Sequence, residues 1–140
     1  MGEHIRYRGG YKYQLAETYA TATAIAPTAP IRTDFIELSA AGKLTLRKGY
    51  AWDGPSGPTF DTLNFMRGSL VHDALYQLMW EGHLSIVRWK DEADRALQRI
   101  CREDGMSAIR AWWVYEAVKQ FGKPGMGKPE GSNPVVSAPK

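Results

Sequence analysis

His72, Asp73 and Tyr76 in the run Leu70-Val71-His72-Asp73-Ala74-Leu75-Tyr76, together with Asp94 further along, are the residues whose types and spacing can do chemistry. Histidine is the side chain whose ordinary pKa, about 6.5, suits proton transfer near neutrality. A carboxylate bonded to its ring fixes the tautomer and raises the basicity of the other nitrogen. Carboxylates also serve hard cations as oxygen ligands. The pair His72-Asp73 therefore reads as a catalytic or metal-binding centre.

Helical periodicity separates the two jobs. With about 100° between successive residues, Met66, Leu70, Val71, Ala74, Leu75 and Leu78 form one stripe. His72 and Tyr76, four apart, fall on another face with Phe65, Gly68 and Met79, and Gly68 leaves room beside the imidazole. Asp73 points a further turn-fraction round, toward the flank where the preceding loop can return. On the next helix Ile86, Trp89, Ala93, Ala96, Leu97 and Ile100 make the apolar stripe. Asp94 sits at its margin beside Val87 and Cys101, while Asp91 should face water. A half-buried Asp94 needs a partner. The expected one is the Nδ1–H of His72, with Nε2 left as the base. A lone helical histidine is more often a hydrogen-bonded structural residue; the combination with Asp73, Tyr76 and Asp94 is what sets this one apart.

The elements that must position these residues follow from pattern. Tyr11 to Leu15, Tyr19 to Ile25, Arg32 to Leu38 and Lys43 to Arg47 read as strands, with Ala40-Ala41-Gly42 as a tight turn, giving a small antiparallel sheet that ends near Tyr50. Residues 51–61 hold two glycines and two prolines within five positions and read as an ordered turn. Three helices follow: from Thr62 or Asn64 to about Glu81, from Ser85 to Arg102 before Asp104-Gly105, and from a Ser107 cap to Phe121 before Gly122. The class is α+β, with residues 1–122 as one domain and 123–140 as a flexible C-terminal tail.

A formal net charge of +3 over 140 residues is mildly basic, and no Lys/Arg cluster forms the footprint of a nucleic-acid binder, so no nucleic-acid partner is expected. The single cysteine, Cys101, excludes an intrachain disulfide and fits a reducing cytosol. No signal-peptide core and no 18-residue apolar stretch are present, so synthesis in the cytoplasm is expected, without export by a signal peptide. Zinc is disfavoured because no Cys/His cluster has ligand spacing. An HD-type metallophosphohydrolase would need another histidine upstream, where only His4 stands. Asp53 and Asp61 read as turn caps. Trp80, Trp89, Trp112, Trp113 and Tyr115 read as core rather than as an interfacial aromatic belt, although adjacent Trp112 and Trp113 cannot both point inward, so one is exposed or in an oligomer contact.

The His72-Asp73-x-x-Tyr76 helix resembles the active-site helix of phospholipases A2. The loop Trp52-Asp53-Gly54-Pro55-Ser56-Gly57-Pro58 is similar to their calcium loop, matching its opening at Trp52 and Gly54, while Ser56 stands where a second glycine is usual. Ala93-Asp94-Arg95-Ala96 resembles the aspartate segment of their second long helix. The likeness covers residues 50–101 and is nearest to the short, disulfide-free phospholipase domains of parvovirus capsid proteins. The chain as a whole also resembles an uncharacterised domain family of phages and prophages, through Arg32-Thr33-Asp34-Phe35, the Trp-Asp-Gly-Pro loop and the His-Asp helix.

The phospholipase resemblance implies calcium as cofactor, held by the Asp73 carboxylate and the carbonyls of Trp52, Gly54 and Ser56, and a phospholipase A2-like pairing of the first two helices. It implies His72 as general base on water, Asp94 orienting it, and Tyr76 hydrogen-bonded to Asp94. Two functions are therefore expected in competition. One is a calcium-dependent phospholipase A2-like ester hydrolase of phage origin, acting at a phospholipid or membrane surface. The other is a non-enzymatic virion, tail or host-interaction protein, partnered by phage structural proteins, in which the His-Asp network is structural.

Overall fold

The computed structural model describes residues 5–8, 13–52 and 63–123. They fall into two compact units, one within residues 5–53 and one within 54–125.

The first unit holds two antiparallel sheets rather than the one expected. Strands β1 (Tyr7–Arg8), β2 (Tyr13–Leu15) and β7 (Ala51–Trp52) form a three-stranded sheet in the order β1-β2-β7. Strands β3 (Tyr19–Ala22), β4 (Ile31–Arg32), β5 (Ile36–Leu38) and β6 (Lys43–Leu46) form a four-stranded sheet in the order β3-β6-β5-β4. The second sheet shows the alternation its sequence announces: Ile36, Leu38, Leu44 and Leu46 are buried on one face. On the other face Glu37 pairs with Arg32 of β4 and with Arg47, one residue beyond β6. The β5–β6 turn closes through Ser39 and Gly42. Gly42 has φ +98°, and a Cβ there would stand 2.4 Å from the Thr23 carbonyl oxygen, so only glycine fits.

Trp52 was expected to open an irregular loop; instead it belongs to strand β7 and pairs with Tyr13. A two-residue edge strand can abut a Gly/Pro-rich segment because pairing is needed on one side only. Tyr7, Tyr13 and Trp52 meet with ring centroids 5.6–5.9 Å apart.

The second unit contains helices α1 (Leu63–Trp80), α2 (Ile86–Glu103) and α3 (Ala108–Phe121). The last two begin where serine can cap: Ser85 Oγ accepts from the Arg88 amide at 3.1 Å and Ser107 Oγ from the Arg110 amide at 3.2 Å. Phe65, Leu97, Cys101, Met106, Ala111 and Val114 form an apolar cluster that joins the three helices. Twelve of the 18 residues of α1 are buried, while Asp73, Tyr76, Gln77 and Trp80, which share one side of the helix, are half-buried. Gly68 is the close-approach point on α1. A Cβ there would lie 2.9 Å from Leu97 Cδ1 and 3.0 Å from Cys101 Sγ, so its missing side chain makes room for α2.

Arg67, 2% exposed, ties the start of α1 to the end of α2 through Glu103 (2.6 Å) and Asp104 (3.0 Å). The aromatic expectation fails on α3. Both Trp112 (49%) and Trp113 (62%) are exposed, stacked edge to face, because Ala111, Val114 and Tyr115 occupy the helix's buried side. Ile86, placed on the α2 stripe, is also exposed.

Candidate active site

Asp94 is the hub of the helical unit. It is fully buried rather than half-buried, and three side chains donate to it. His72 Nε2 lies 2.8 Å from Oδ1, Tyr76 Oη donates to the same oxygen at 2.6 Å, and Lys90 Nζ donates to Oδ2 at 2.8 Å. Helical spacing explains the convergence: His72 and Tyr76 are one turn apart on α1, and Lys90 and Asp94 one turn apart on α2. The rings of His72 and Tyr76 lie against each other at 4.1 Å, which further restricts the imidazole.

Burial alone would raise the Asp94 pKa. The hydrogen bonds from His72, Lys90 and Tyr76 outweigh it and hold the carboxyl below the ordinary value. Asp94 is therefore an ionised acceptor, and Nε2 of His72 must carry the proton that it donates. Burial and the bond to Asp94 push the Tyr76 hydroxyl upward, so it stays a donor.

The pairing uses the opposite ring nitrogen from the one expected. Nε2 stands at the far end of the imidazole and reaches across to α2. The lone pair of the neutral ring is then on Nδ1, for which no hydrogen bond is formed among the described residues. Nδ1 is the basic atom that this arrangement offers.

Of the remaining expected site residues, Asp73 is half-buried on α1, one residue beyond His72, and Trp52 lies in β7. Gly54 and Ser56 lie outside the described residues. Among the described residues no group of three or more His, Cys, Asp or Glu side chains is placed to hold a metal ion. Asp94, with both oxygens taken by donors, is no ligand.

Lys90 was missed, although its i,i+4 spacing to Asp94 was visible. Asp91 faces solvent as expected and is held by the Tyr115 hydroxyl at 2.5 Å and Arg95 at 2.6 Å. The hydrogen bond from Tyr115 is the largest cause of its lowered pKa. Burial pushes the Cys101 thiol up to about 12, which removes it as a nucleophile near neutral pH.

Fold and site together define an α+β protein with a buried His–Asp–Tyr constellation on paired helices. The chain belongs to the DUF1353 family, described as a protein of unknown function, whose profile matches residues 31–118, from β4 to the last turn of α3. Comparison with curated proteins and with solved structures returned no match. No helix among the described residues is long and apolar enough to cross a membrane.

Proposed function

We propose that this protein is an ester hydrolase in which His72 acts as general base on water, of the calcium-dependent phospholipase A2-like kind. The observation that carries the proposal is the Asp94 carboxylate, which takes Nε2–H of His72 and the Tyr76 hydroxyl on one oxygen and so directs the free lone pair to Nδ1. A protein nucleophile is not required, and the one cysteine is too deeply buried and too weakly acidic to be one.

The calcium half of the proposal, Asp73 with the carbonyls of Trp52, Gly54 and Ser56, and the phospholipase A2-like pairing of α1 with α2 are supported by the sequence likeness alone. When bound, calcium would supply electrostatic stabilisation to a developing oxyanion. Exposed Ile109, Trp112 and Trp113 on α3 suit contact with phospholipid headgroups. Phage or prophage origin belongs to the same proposal and is likewise supported by the sequence likeness. The test is fatty-acid release from phosphatidylglycerol and phosphatidylcholine vesicles with calcium or with chelator. Hydrolysis that needs calcium and disappears in His72→Ala is expected. A stable wild-type protein that neither binds calcium nor cleaves either lipid would overturn the reading.

One observation favours the alternative, a virion or host-interaction protein with a structural His-Asp network. Asp94 is wholly enclosed and His72 only 7% exposed, as in a buried polar clamp. In that case His72→Ala lowers stability with no activity to lose, and the exposed tryptophans serve a protein partner.

A further inference from the structure

Lys90 makes more contacts than an ion pair needs. Its ammonium donates to Asp94 Oδ2 at 2.8 Å, to the Val118 carbonyl at 3.1 Å and to the Lys119 carbonyl at 3.3 Å. An ammonium has three donors, and all three are engaged. The two carbonyls belong to the last turn of α3, where a cation is favoured; the Val118 oxygen also accepts from the Gly122 amide at 2.8 Å. A second contact comes from the same end of α3. A Cβ on Gly122 would stand 2.5 Å from Tyr76 Oη, so the residue closing α3 has no side chain just where the Tyr76 hydroxyl sits. Two of the three donors to Asp94 are thus held against the end of one helix that carries neither His72 nor Asp94.

We propose that Lys90 is a positioning residue for the His72–Asp94 dyad, and that it uses the C-terminal turn of α3 as its fixed point. The proposal rests on reading that pair as catalytic. A carboxylate turns easily about its terminal torsion. Here both donors from α1 pull on Oδ1, and without Lys90 nothing among the described residues holds Oδ2. An unpaired anionic oxygen in a fully buried position is costly, so the group turns or draws in water or a proton. Each of these displaces Oδ1 from Nε2 and frees the ring to change tautomer. With its donors saturated, Lys90 is neither a base nor a substrate-binding cation. Its work is to keep one oxygen occupied so that the other stays in line.

Lys90→Met keeps the length of the stem and removes the charge; Lys90→Arg keeps the charge. The first readout, independent of turnover, is the downfield proton resonance of the His72 Nε2–H bonded to Asp94. In Lys90→Met it is expected to shift by more than its linewidth or vanish through exchange, and in Lys90→Arg to return. The second readout is kinetic: kcat falls roughly 10–100-fold, the usual range for a residue orienting a functional group from behind, with KM within about twofold. Lys90→Arg recovers most of that loss.

A Lys90→Met protein that melts earlier yet keeps the wild-type resonance and kcat would overturn the proposal, leaving Lys90 as a tie between helices. An inactive wild type defeats the hydrolase reading instead, and the resonance still decides whether Lys90 positions the ring.

Discussion

Asp94→Asn changes one atom of the hub and removes its charge. The amide has two orientations. With its oxygen toward His72 and Tyr76, its NH2 faces the Lys90 ammonium, and the ion pair becomes a meeting of donors. Removing one partner of a fully buried pair costs about 3–5 kcal/mol. Lys90 is 23% exposed and keeps two carbonyl acceptors, so the cost falls below that range, to about 2–3 kcal/mol. In the other orientation the NH2 faces His72 and Tyr76. The imidazole must then move its proton to Nδ1 and accept at Nε2, which removes the lone pair from the proposed base.

Either way stability falls by about 2–3 kcal/mol near pH 7, which for a chain of this size lowers the Tm by roughly 8–12 °C. Equilibrium urea unfolding of both proteins from pH 7 to strongly acidic pH is the assay. The Asp94 pKa is depressed in the folded state. The contribution of its charge is therefore complete above the unfolded value of about 3.9 and is lost as pH falls through the lower, folded one. The gap between wild type and variant should hold above about pH 4 and narrow below it. A gap under about 0.5 kcal/mol at pH 7, or one as wide in strong acid as at neutrality, would refute the reasoning.

Two further outcomes follow from contacts on the same helices. Gly68→Ala gains about 1 kcal/mol of helix propensity but overpacks the α1–α2 crossing against Leu97 and Cys101 at about 1–3 kcal/mol, for a net loss near 1 kcal/mol in urea unfolding. A more stable variant would show that the crossing has slack. Cys101, fully buried and with its pKa pushed up to about 12, should react with a thiol reagent at pH 8 no faster than the protein unfolds, and rapid labelling of the native chain would contradict this.

The helical half of the molecule was legible in the sequence because its signals are local. Ser85, Ser107 and Gly122 mark ends that the structure reproduces within a residue or so, and helical position sufficed to pair His72 with Asp94, while the Tyr76 bond to Asp94 was an implication of the phospholipase resemblance. The nitrogen used by His72 was not legible, since it depends on a rotamer and on the distance between helices. Lys90 was overlooked because its two carbonyl acceptors come from another helix. In the strand half, alternation was plain in Lys43–Leu46, but β1 and β7 have two residues each, too few to show a period. The division into two sheets rests on β2 pairing with β7 far along the chain, and nothing local to either strand announces it.

The burial of most of α1 has a consequence for its motions. Amides in a helix so largely buried exchange with solvent mainly when the surrounding structure comes apart, so the backbone around His72 should be among the slowest in the chain to take up deuterium. If the protein is a hydrolase, its substrate would then have to reach Nδ1 without α1 opening, and selectivity would be tuned by changing neighbouring side chains while the imidazole stays where it is.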